Sequence, residues 1–284
     1  MPAAIITPQA APCGVVVRGI DLREALAADT VARLRQAWLE HQVLAFPDQD
    51  LSLDDLERIA LHFGPYGTDP FFGSVPSHPH IAQVRRDADE KTKIFAETWH
   101  SDWSFLPAPP RATLLYGNVV PPVGGDTLFA NQVAAWDALP PSMKALLRDK
   151  QGIHSARRGY AREGMYGERD QGRSMAIRYG DDALATQTHP IARVHPETGR
   201  TALFVSPGYT IGIEGLDDGE AQALLVELFH HQVREDFVYR HRWSAGMLLM
   251  WDNRCVIHAA TGGYDGHARL LHRITLAERA THSA

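Results

Sequence analysis

The feature that most constrains the fold of this chain is a series of short apolar runs that begins at about Ile81. Each run has five to ten residues rich in Val, Ile, Leu, Phe and Trp, and Pro and Gly stand between the runs. Runs of this length are typical of β-strands, and many strands with irregular spacing predict a sandwich or jelly roll. We therefore predict a mainly β fold with flanking helices. The runs are IAQVRR, ATLLYGNVV, DTLFAN, ALFVS, GMLLMWD, RCVIHAA and RLLHRITLAE.

Helices are predicted mostly in the first third of the chain. One begins with Asp29 or Thr30 as its N-cap and is followed by the buried strand QVLAF, and a second begins at Ser52 and ends before Gly64. A stretch of Gly, Arg, Asp and Gln at 157–190 has little periodicity, and loops this long are typical of lids or binding loops. The two further predicted helices are 134–147 and 218–233.

Composition limits the class of protein. With 284 residues, 44% hydrophobic and 22% charged, the chain can form one large domain, 1–284, with an ordinary core. A net charge of −6 excludes binding to nucleic acid or anionic membranes through bulk charge. Cys13 and Cys255 are too few for a disulfide framework, and no run of 18 apolar residues occurs. We expect a soluble cytoplasmic protein.

A first pair of candidate metal ligands is His100 and Asp102. The pattern His-x-Asp/Glu occurs twice, and chance predicts about two occurrences for 15 His and 34 acidic residues, so the pattern alone proves nothing. One copy, at His195, lies in VHPETGR, which is typical of a surface hairpin turn, and we set it aside. The other lies among aromatic residues in TWHSDWSF, where an extended backbone would place residues i and i+2 on one face. A buried His–Asp pair without metal is the alternative.

His258 is a third candidate ligand. We interpret MLLMW as a buried strand, Asp252-Asn253 as a turn and RCVIH as the returning strand. Two histidines and a carboxylate form the facial triad that holds Fe(II) and leaves positions open for a chelating cosubstrate and dioxygen. Zinc favours closed or N/S-rich ligand sets and calcium favours more oxygens, so iron is predicted. Cys255 is interpreted as a small core residue.

Two arginines and a threonine accompany these residues. Arg269 and Arg273 stand four residues apart in RLLHRITL, so on a strand they share one face with Leu271 and Thr275. Guanidinium groups inside a barrel require anions, and each can grip a carboxylate with two hydrogen bonds. A solvated edge strand is the alternative. Thr127 in GGDTLF adds a hydroxyl donor after a Gly-rich bend.

Taken together, TWHSDWSF, GGDT, WDNRCVIH and the arginine pair resemble the taurine dioxygenase/TfdA family of Fe(II)- and 2-oxoglutarate-dependent dioxygenases. The resemblance runs in order from DLREAL to HRITLAE. It implies a double-stranded β-helix, which is a cupin-like jelly roll. It also implies that a substrate is hydroxylated with dioxygen while 2-oxoglutarate gives succinate and CO2.

The resemblance implies roles for five of these residues. His100, Asp102 and His258 would be the iron ligands, and they are therefore the predicted catalytic residues. Thr127 and Arg269 would bind the distal carboxylate of 2-oxoglutarate.

The same resemblance bears on the substrate. Arg273 matches a position that approaches the acidic group of the substrate, so a small organic anion is expected. Taurine dioxygenases have a histidine where this chain offers Asp69 and an asparagine where it has Ala96, and both departures count against taurine itself. The segment before the metal motif looks closer to the branch that cleaves aryloxyalkanoic acids, with Tyr160 and Tyr209 at pocket-lining positions. Either tyrosine could equally be an ordinary core residue.

Two other functions stay open at this point. One is a non-catalytic jelly-roll protein whose triad binds a structural metal or simply packs, and it leaves the accompanying arginines unexplained. The other is an oxygenase of the same fold that acts on a peptide or a neutral metabolite. A homo-oligomer is expected because members of the family commonly associate.

Overall fold

The computed structural model describes residues 4–278. Most of its regular structure is β-strand. The strands are β1 (Ile5–Pro8), β2 (Val15–Arg18), β3 (Val43–Phe46), β4 (Ser74–Val75), β5 (His78–Arg86), β6 (Ala112–Val119), β7 (Thr127–Asn131), β8 (Gln151–Ser155), β9 (Thr186–Pro190), β10 (Ala192–Val194), β11 (Thr201–Leu203), β12 (Thr210–Ile213), β13 (Val238–His241), β14 (Leu248–Asp252), β15 (Val256–Ala260) and β16 (Arg269–Leu276).

The strands of the described residues form a large sheet and three smaller ones. The large sheet has the order β1-β2-β3-β14-β6-β16-β5-β4, and the smaller sheets have the orders β13-β7-β15, β12-β8-β9 and β10-β11. The β13-β7-β15 sheet packs on the large sheet, and one apolar cluster joins their inner faces. This two-layer arrangement confirms the predicted jelly roll. The cluster includes Val43, Leu115, Phe129, Tyr239, Leu249 and Trp251.

Two helices, α1 (Ala28–His41) and α2 (Leu53–Phe63), cover the other face of the large sheet. The predicted start of α2 at Ser52 is confirmed, because Ser52 is the N-cap and its Oγ accepts from the Asp55 amide at 3.1 Å in a capping box. The start predicted for α1 was wrong. Its N-cap is Ala27, and Asp29 lies inside the first turn, where its charge favours the helix dipole instead of capping the helix.

Three of the other helices share an apolar cluster with residues of β11 and β12. The single helix predicted at 134–147 is two helices, α3 (Gln132–Asp137) and α4 (Pro141–Leu147). They separate at Pro140 and Pro141 because a residue before proline avoids the helical conformation and proline supplies no amide hydrogen. The helix predicted at 218–233 is α6 (Asp218–His231).

Two predicted connections differ from the structure. The strands β14 and β15 do not form a hairpin, because β14 pairs with β3 and β6 in the large sheet whereas β15 pairs with β7. The chain therefore crosses between the two layers at 253–255. The segment 157–190, predicted as a lid or binding loop, has regular structure at both ends, since it begins with the helix α5 (Arg157–Tyr160) and its last five residues form β9. None of the helices within 4–278 has the length and apolar character needed to cross a membrane.

Candidate active site

His100 and His258 lie opposite each other where a loop meets β15. The amide of each donates to the carbonyl of the other, at 3.0 and 2.8 Å, and their ring centroids are 4.2 Å apart. The segment that holds His100 is not the extended strand predicted, because it turns directly after this single bridge and Trp103 has a φ of 46°. The bridge and the turn, and not strand alternation, bring His100 and Asp102 together.

Asp102 completes a buried triad with the two histidines. Its Oδ1 lies 3.6 Å from His100 Nε2 and 3.8 Å from His258 Nε2. The three candidate ligand atoms all lie within 4.8 Å of one another. The structure therefore places the three residues predicted as metal ligands at one point.

The two imidazoles are suited to donate lone pairs at neutral pH. Burial lowers the pKa of His100, and it lowers that of His258 further. His100 Nδ1 lies 2.7 Å from the Thr98 carbonyl, which can only accept a hydrogen bond. The proton of His100 is therefore on Nδ1, and Nε2 faces the triad with a free lone pair.

The second oxygen of Asp102 is held by hydrogen bonds on its other side. Asp102 Oδ2 accepts from Thr113 Oγ1 at 2.6 Å and lies 3.1 Å from Arg273 Nη2. Burial alone would raise the pKa of Asp102, but the charge of Arg273 and the other donors around it hold the pKa below its usual range. Asp102 is thus ionised, and its Oδ1 is directed to the two histidines.

A chain of buried hydrogen bonds holds the partner of this carboxylate, Thr113, in place. Asn253 Nδ2 donates to Thr113 Oγ1 at 2.9 Å, and Trp251 Nε1 donates to Asn253 Oδ1 at 2.8 Å. Ser101 Oγ donates to the Asn253 carbonyl at 2.7 Å. The sequence predicts Asn253 as a turn residue only, because no local signal connects it with Thr113, 140 residues earlier.

The triad opens into a cavity of about 160 Å3. The predicted residues Thr127, Arg269, Arg273, Tyr160 and Tyr209 all line it. Both tyrosines are also buried in an aromatic cluster, so each belongs to the pocket wall and to the core. The Phe, Tyr and Trp residues around the cavity are Phe72, Phe95, Trp103, Tyr160, Tyr166, Tyr209 and Trp251.

Arg269 is a buried cation without a counter-charge among the described residues. Its Nη2 donates to the Gly125 carbonyl at 3.3 Å, and its Nε is buried with no partner in the described part of the chain. Burial lowers the pKa of this guanidinium. Thr127 Oγ1 lines the same cavity and accepts from Trp243 Nε1 at 3.0 Å. A buried guanidinium with free donors calls for an anion.

Arg273, on the same face of β16, is in the opposite situation. Its Nε donates to Asp69 Oδ1 at 3.0 Å, and its Nη2 lies beside Asp102 and Thr275. Burial would lower its pKa, but Asp102 and Asp69 raise it above the usual value. Neither arginine is on a solvated edge, because β16 lies between β5 and β6. The predicted contact of Arg273 with the substrate stays a prediction.

The segment predicted as a lid is anchored by a buried carboxylate. Glu90 accepts from the Ser174 amide at 2.9 Å and from Arg86 Nη1 at 3.2 Å. Arg173 lies 3.7 Å from the same carboxylate and 2.5 Å from Asp170. This cluster ties the lid to the end of β5.

His195 is buried, so its interpretation as a surface turn residue was wrong. Its Nε2 lies 3.0 Å from Asp252 Oδ2, and Arg254 Nη2 lies 2.6 Å from the same oxygen. The β10-β11 hairpin folds its turn onto the end of β14, which composition alone does not show. Cys255 is a buried core residue, as predicted.

A family model described as "Taurine catabolism dioxygenase TauD, TfdA family" matches residues 6–275. The chain belongs to this family. The 2,4-dichlorophenoxyacetate dioxygenase of Cupriavidus pinatubonensis is 37% identical over 270 residues, which cover 89% of this chain and 90% of that protein. The sulfate ester dioxygenase of Pseudomonas putida is 31% identical and covers 96% and 89%.

Solved structures of the family have the same fold. A taurine dioxygenase from Burkholderia xenovorans superposes with a TM-score of 0.80 at 30% identity, covering 97% of this chain and 90% of that one. AAD-2 in complex with Mn(II) and N-oxalylglycine gives 0.76 at 28% identity, covering 96% and 97%. TauD/TfdA enzymes use Fe(II) and 2-oxoglutarate, and this chain is a 2-oxoglutarate-dependent dioxygenase.

The residues of the site are suited to bind both Fe(II) and 2-oxoglutarate. Two neutral imidazoles and one carboxylate oxygen converge on one point, which is the donor set that Fe(II) accepts. The buried Arg269, with its partnerless Nε, offers the charge that a dicarboxylate requires.

Proposed function

We propose that this dioxygenase hydroxylates a small organic anion of the aryloxyalkanoate, sulfonate or alkyl sulfate type, with succinate and CO2 as coproducts. The observation that supports this most directly is the pairing of features in one cavity. The His-Asp-His triad lies in the same aromatic-walled cavity as a buried cation that has no acid within ion-pair distance among the described residues.

In this proposal, His100, Asp102 and His258 hold the iron. When bound, iron and 2-oxoglutarate supply the oxidising power for hydroxylation of a C–H bond. The protein's task is to hold the ligands and the substrate. Thr113 and Arg273 keep Asp102 Oδ2 in place, so that Oδ1 and the two Nε2 atoms present a preformed set of donors.

Thr127 and Arg269 bind the distal carboxylate of 2-oxoglutarate. Arg269 is held by the Gly125 carbonyl and lies within 6 Å of the rings of Trp243 and Tyr264, which exclude water from it. An ion pair formed in such a dry site is stronger than one in water, because the local dielectric constant is low.

The aromatic lining of the cavity indicates that the substrate has an apolar part. Tyr209 stands edge-on to His100 at 5.8 Å and to Phe105 at 5.0 Å, and Tyr160 stacks on Phe71 at 4.4 Å. A flat or aliphatic group next to the triad would pack on these rings and displace water. Proteins similar to this chain act on 2,4-dichlorophenoxyacetate, phenoxypropionate and sulfate esters, by their names.

A neutral metabolite as substrate is the second candidate. It is favoured by one observation, namely that Asp69 and Asp102 already oppose the charge of Arg273. The non-catalytic alternative conflicts with membership in a family of dioxygenases.

We further propose that the protein is cytoplasmic, forms a homo-oligomer and consists of one domain over residues 1–284. The compartment is supported by Cys13 and Cys255, which are both free buried thiols. The single domain is supported by the family model, which matches residues 6–275.

The test is an anaerobic titration followed by turnover. Fe(II) and 2-oxoglutarate are added to the protein, and the visible charge-transfer band of the chelate is recorded. Oxygen is then admitted with a panel of aryloxyalkanoates, sulfonates and alkyl sulfates, each paired with a neutral analogue, while succinate is measured. We expect a band and succinate formation stimulated by acids. No band would overturn the proposal, and stimulation by neutral compounds alone would favour the second candidate.

A further inference from the structure

Three arginines line the cavity in the part of the chain that the structure describes, and their charges are compensated very differently. Arg269 is the proposed partner of 2-oxoglutarate. The remaining two, Arg158 and Arg273, are the cations left for an acidic substrate.

Arg273 already has its counter-charges. Its Nε donates to Asp69 Oδ1, and its Nη2 lies 3.1 Å from Asp102 Oδ2. If a metal ion bound to Asp102 offsets the negative charge of that carboxylate, Asp69 still neutralises the guanidinium of Arg273. Asp69 is itself held by donors from Trp103 Nε1 and Thr275 Oγ1, both at 2.7 Å. An incoming anion would therefore meet an Arg273–Asp69 pair that has no net charge. The Asp69 carboxylate would also repel the anion, and the donors that hold Asp69 keep this carboxylate in place.

Arg158 has no such compensation. Its Nη1 donates to the carbonyls of Pro207 and Thr210 at 2.7 and 3.1 Å, and no acid of residues 4–278 lies within ion-pair distance of it. Carbonyl groups orient a guanidinium but leave its charge intact. Partial desolvation of its side chain and the nearby Arg157 lower its pKa, and the side chain lines the cavity.

The loop 207–210, which holds Arg158, also contacts the triad. Arg158 donates hydrogen bonds to the carbonyls of Pro207 and Thr210, which flank Gly208 and Tyr209. The Gly208 amide in turn donates to the Trp99 carbonyl at 3.1 Å. A side chain at Gly208 would approach His100 Cβ at 3.0 Å, so the loop lies directly against this candidate ligand. Arg158 itself is an exposed residue that lines the cavity, and the loop that holds it lies against His100.

We propose that Arg158 binds the acidic group of the substrate, and that Asp69 removes this task from Arg273 by neutralising it. Arg273 is then a positioning residue for Asp102. This inference rests on the proposed function, in which the substrate is a small organic anion. It assigns the specificity for charge to the helix at the start of the lid instead of to β16.

Calorimetric binding to the protein loaded with Mn(II) and 2-oxoglutarate tests it without turnover. The probes are 2,4-dichlorophenoxyacetate against its primary amide, and hexyl sulfate against hexanol. The quantity compared is the ratio of the two dissociation constants in each pair. The variants are Arg158→Gln, Arg158→Lys and Asp69→Asn. The matched control is Arg157→Gln, because Arg157 is the adjacent arginine, bonds to Ser155 and Leu184, and does not line the cavity.

We expect the wild-type protein to prefer the acid of at least one pair. Arg158→Gln should reduce that preference about tenfold or more, which corresponds to about 1.4 kcal/mol. Arg158→Lys should retain most of the preference, and Arg157→Gln should not change it. Asp69→Asn should strengthen acid binding, since it releases the charge of Arg273.

Two results would overturn the inference. One is a wild-type protein that binds neither acid more tightly than its neutral analogue, and the other is an Arg158→Gln variant that retains the wild-type preference for the acid. Because binding is measured without turnover, failure of the proposed function is seen separately. A chelate band and succinate formation without charge preference would leave that function intact and reject only the role of Arg158. Charge preference without a band would do the reverse.

Discussion

At the scale of single residues, Asp102 uses its two carboxylate oxygens for different contacts. Oδ2 is held by Thr113 and Arg273, and Oδ1 faces His100 and His258. Because one oxygen is fixed by the protein, the other is presented in a defined direction. The geometry makes Asp102 the ligand on which the proposed site depends most.

The replacement Asp102→Ala removes the only acidic member of the triad. We expect it to abolish hydroxylation and to weaken binding of Fe(II) or Mn(II) strongly, because two neutral imidazoles alone give an incomplete donor set. Metal binding is measured by equilibrium dialysis and product by chromatography. Hydroxylated product formed by this variant at the wild-type rate would show that Asp102 is not a ligand.

The hydroxyl of Thr113 links Asp102 to Asn253. Thr113→Val keeps the shape but removes the hydroxyl, which leaves the Asp102 and Asn253 groups without their partner. Such outer-layer losses typically cost about 10- to 100-fold in metal affinity, and we expect an effect in that range. Thr113→Ser restores the hydroxyl and should restore affinity. Equal metal affinities for the valine and serine variants would contradict this role.

Arg269 is the residue on which 2-oxoglutarate binding should depend. Arg269→Ala removes a charge-assisted pair in a buried site, so we expect 2-oxoglutarate to bind at least ~2 kcal/mol more weakly. Arg269→Lys keeps the charge but not the planar fork, and it should lie between the two. Calorimetry with Mn(II) measures the affinities. An unchanged affinity in the alanine variant would place the cosubstrate elsewhere.

At the scale of elements, the Gly-rich turn before β7 positions Thr127 and Arg269, the two residues proposed to bind the cosubstrate. Gly124 has a φ of +65°, and a side chain there would meet the Gly263 carbonyl oxygen at 2.5 Å. Gly125, the next residue, holds Arg269 through its carbonyl. The turn therefore requires glycine for backbone conformation and for space.

Gly124→Ala should both destabilise the fold and weaken 2-oxoglutarate binding. The matched control is Gly266→Ala, since Gly266 also has a positive φ, +81°, but has open space around it. The control should cost about 1 kcal/mol from backbone strain alone, and Gly124→Ala should cost more. Urea unfolding and calorimetry measure the two effects. Equal losses in the two variants would mean that the close approach to Gly263 is unimportant.

At the scale of the whole molecule, buried histidines couple stability to pH. Burial lowers the pKa of His154 to about 3 and that of His241 to about 4. In the unfolded chain both have a pKa near 6.5. Between pH 6.5 and 4, the unfolded state therefore binds more protons than the folded state, and stability falls as the pH falls.

We expect the unfolding free energy of the metal-free protein to decrease from pH 6.5 to pH 4.5. Each such histidine contributes up to about 1.4 kcal/mol per pH unit in this range. His154→Gln removes one of these groups and should reduce the slope. Urea unfolding followed by circular dichroism at several pH values gives the slope. The same slope in the variant and the wild type would show that His154 does not couple folding to pH.

The sequence by itself determined the features that depend on short-range pattern. The apolar runs predicted the strands, Ser52 predicted the start of α2, and the alternation of β16 placed Arg269 and Arg273 on one face. Short motifs, their aromatic context and the family resemblance selected His100, Asp102 and His258 as candidate ligands. The strand and helix predictions succeeded because strand and helix periods and capping are local properties.

Only the tertiary structure decided how those residues are used. It showed that Arg273 is paired with Asp69, 204 positions earlier, whereas Arg269 has no acid partner among residues 4–278. It also showed that His195 is buried against Asp252, and that a bridge and a turn orient His100 and Asp102. Charge compensation depends on which distant side chains strand register and loop packing bring together, and local sequence pattern carries no record of that.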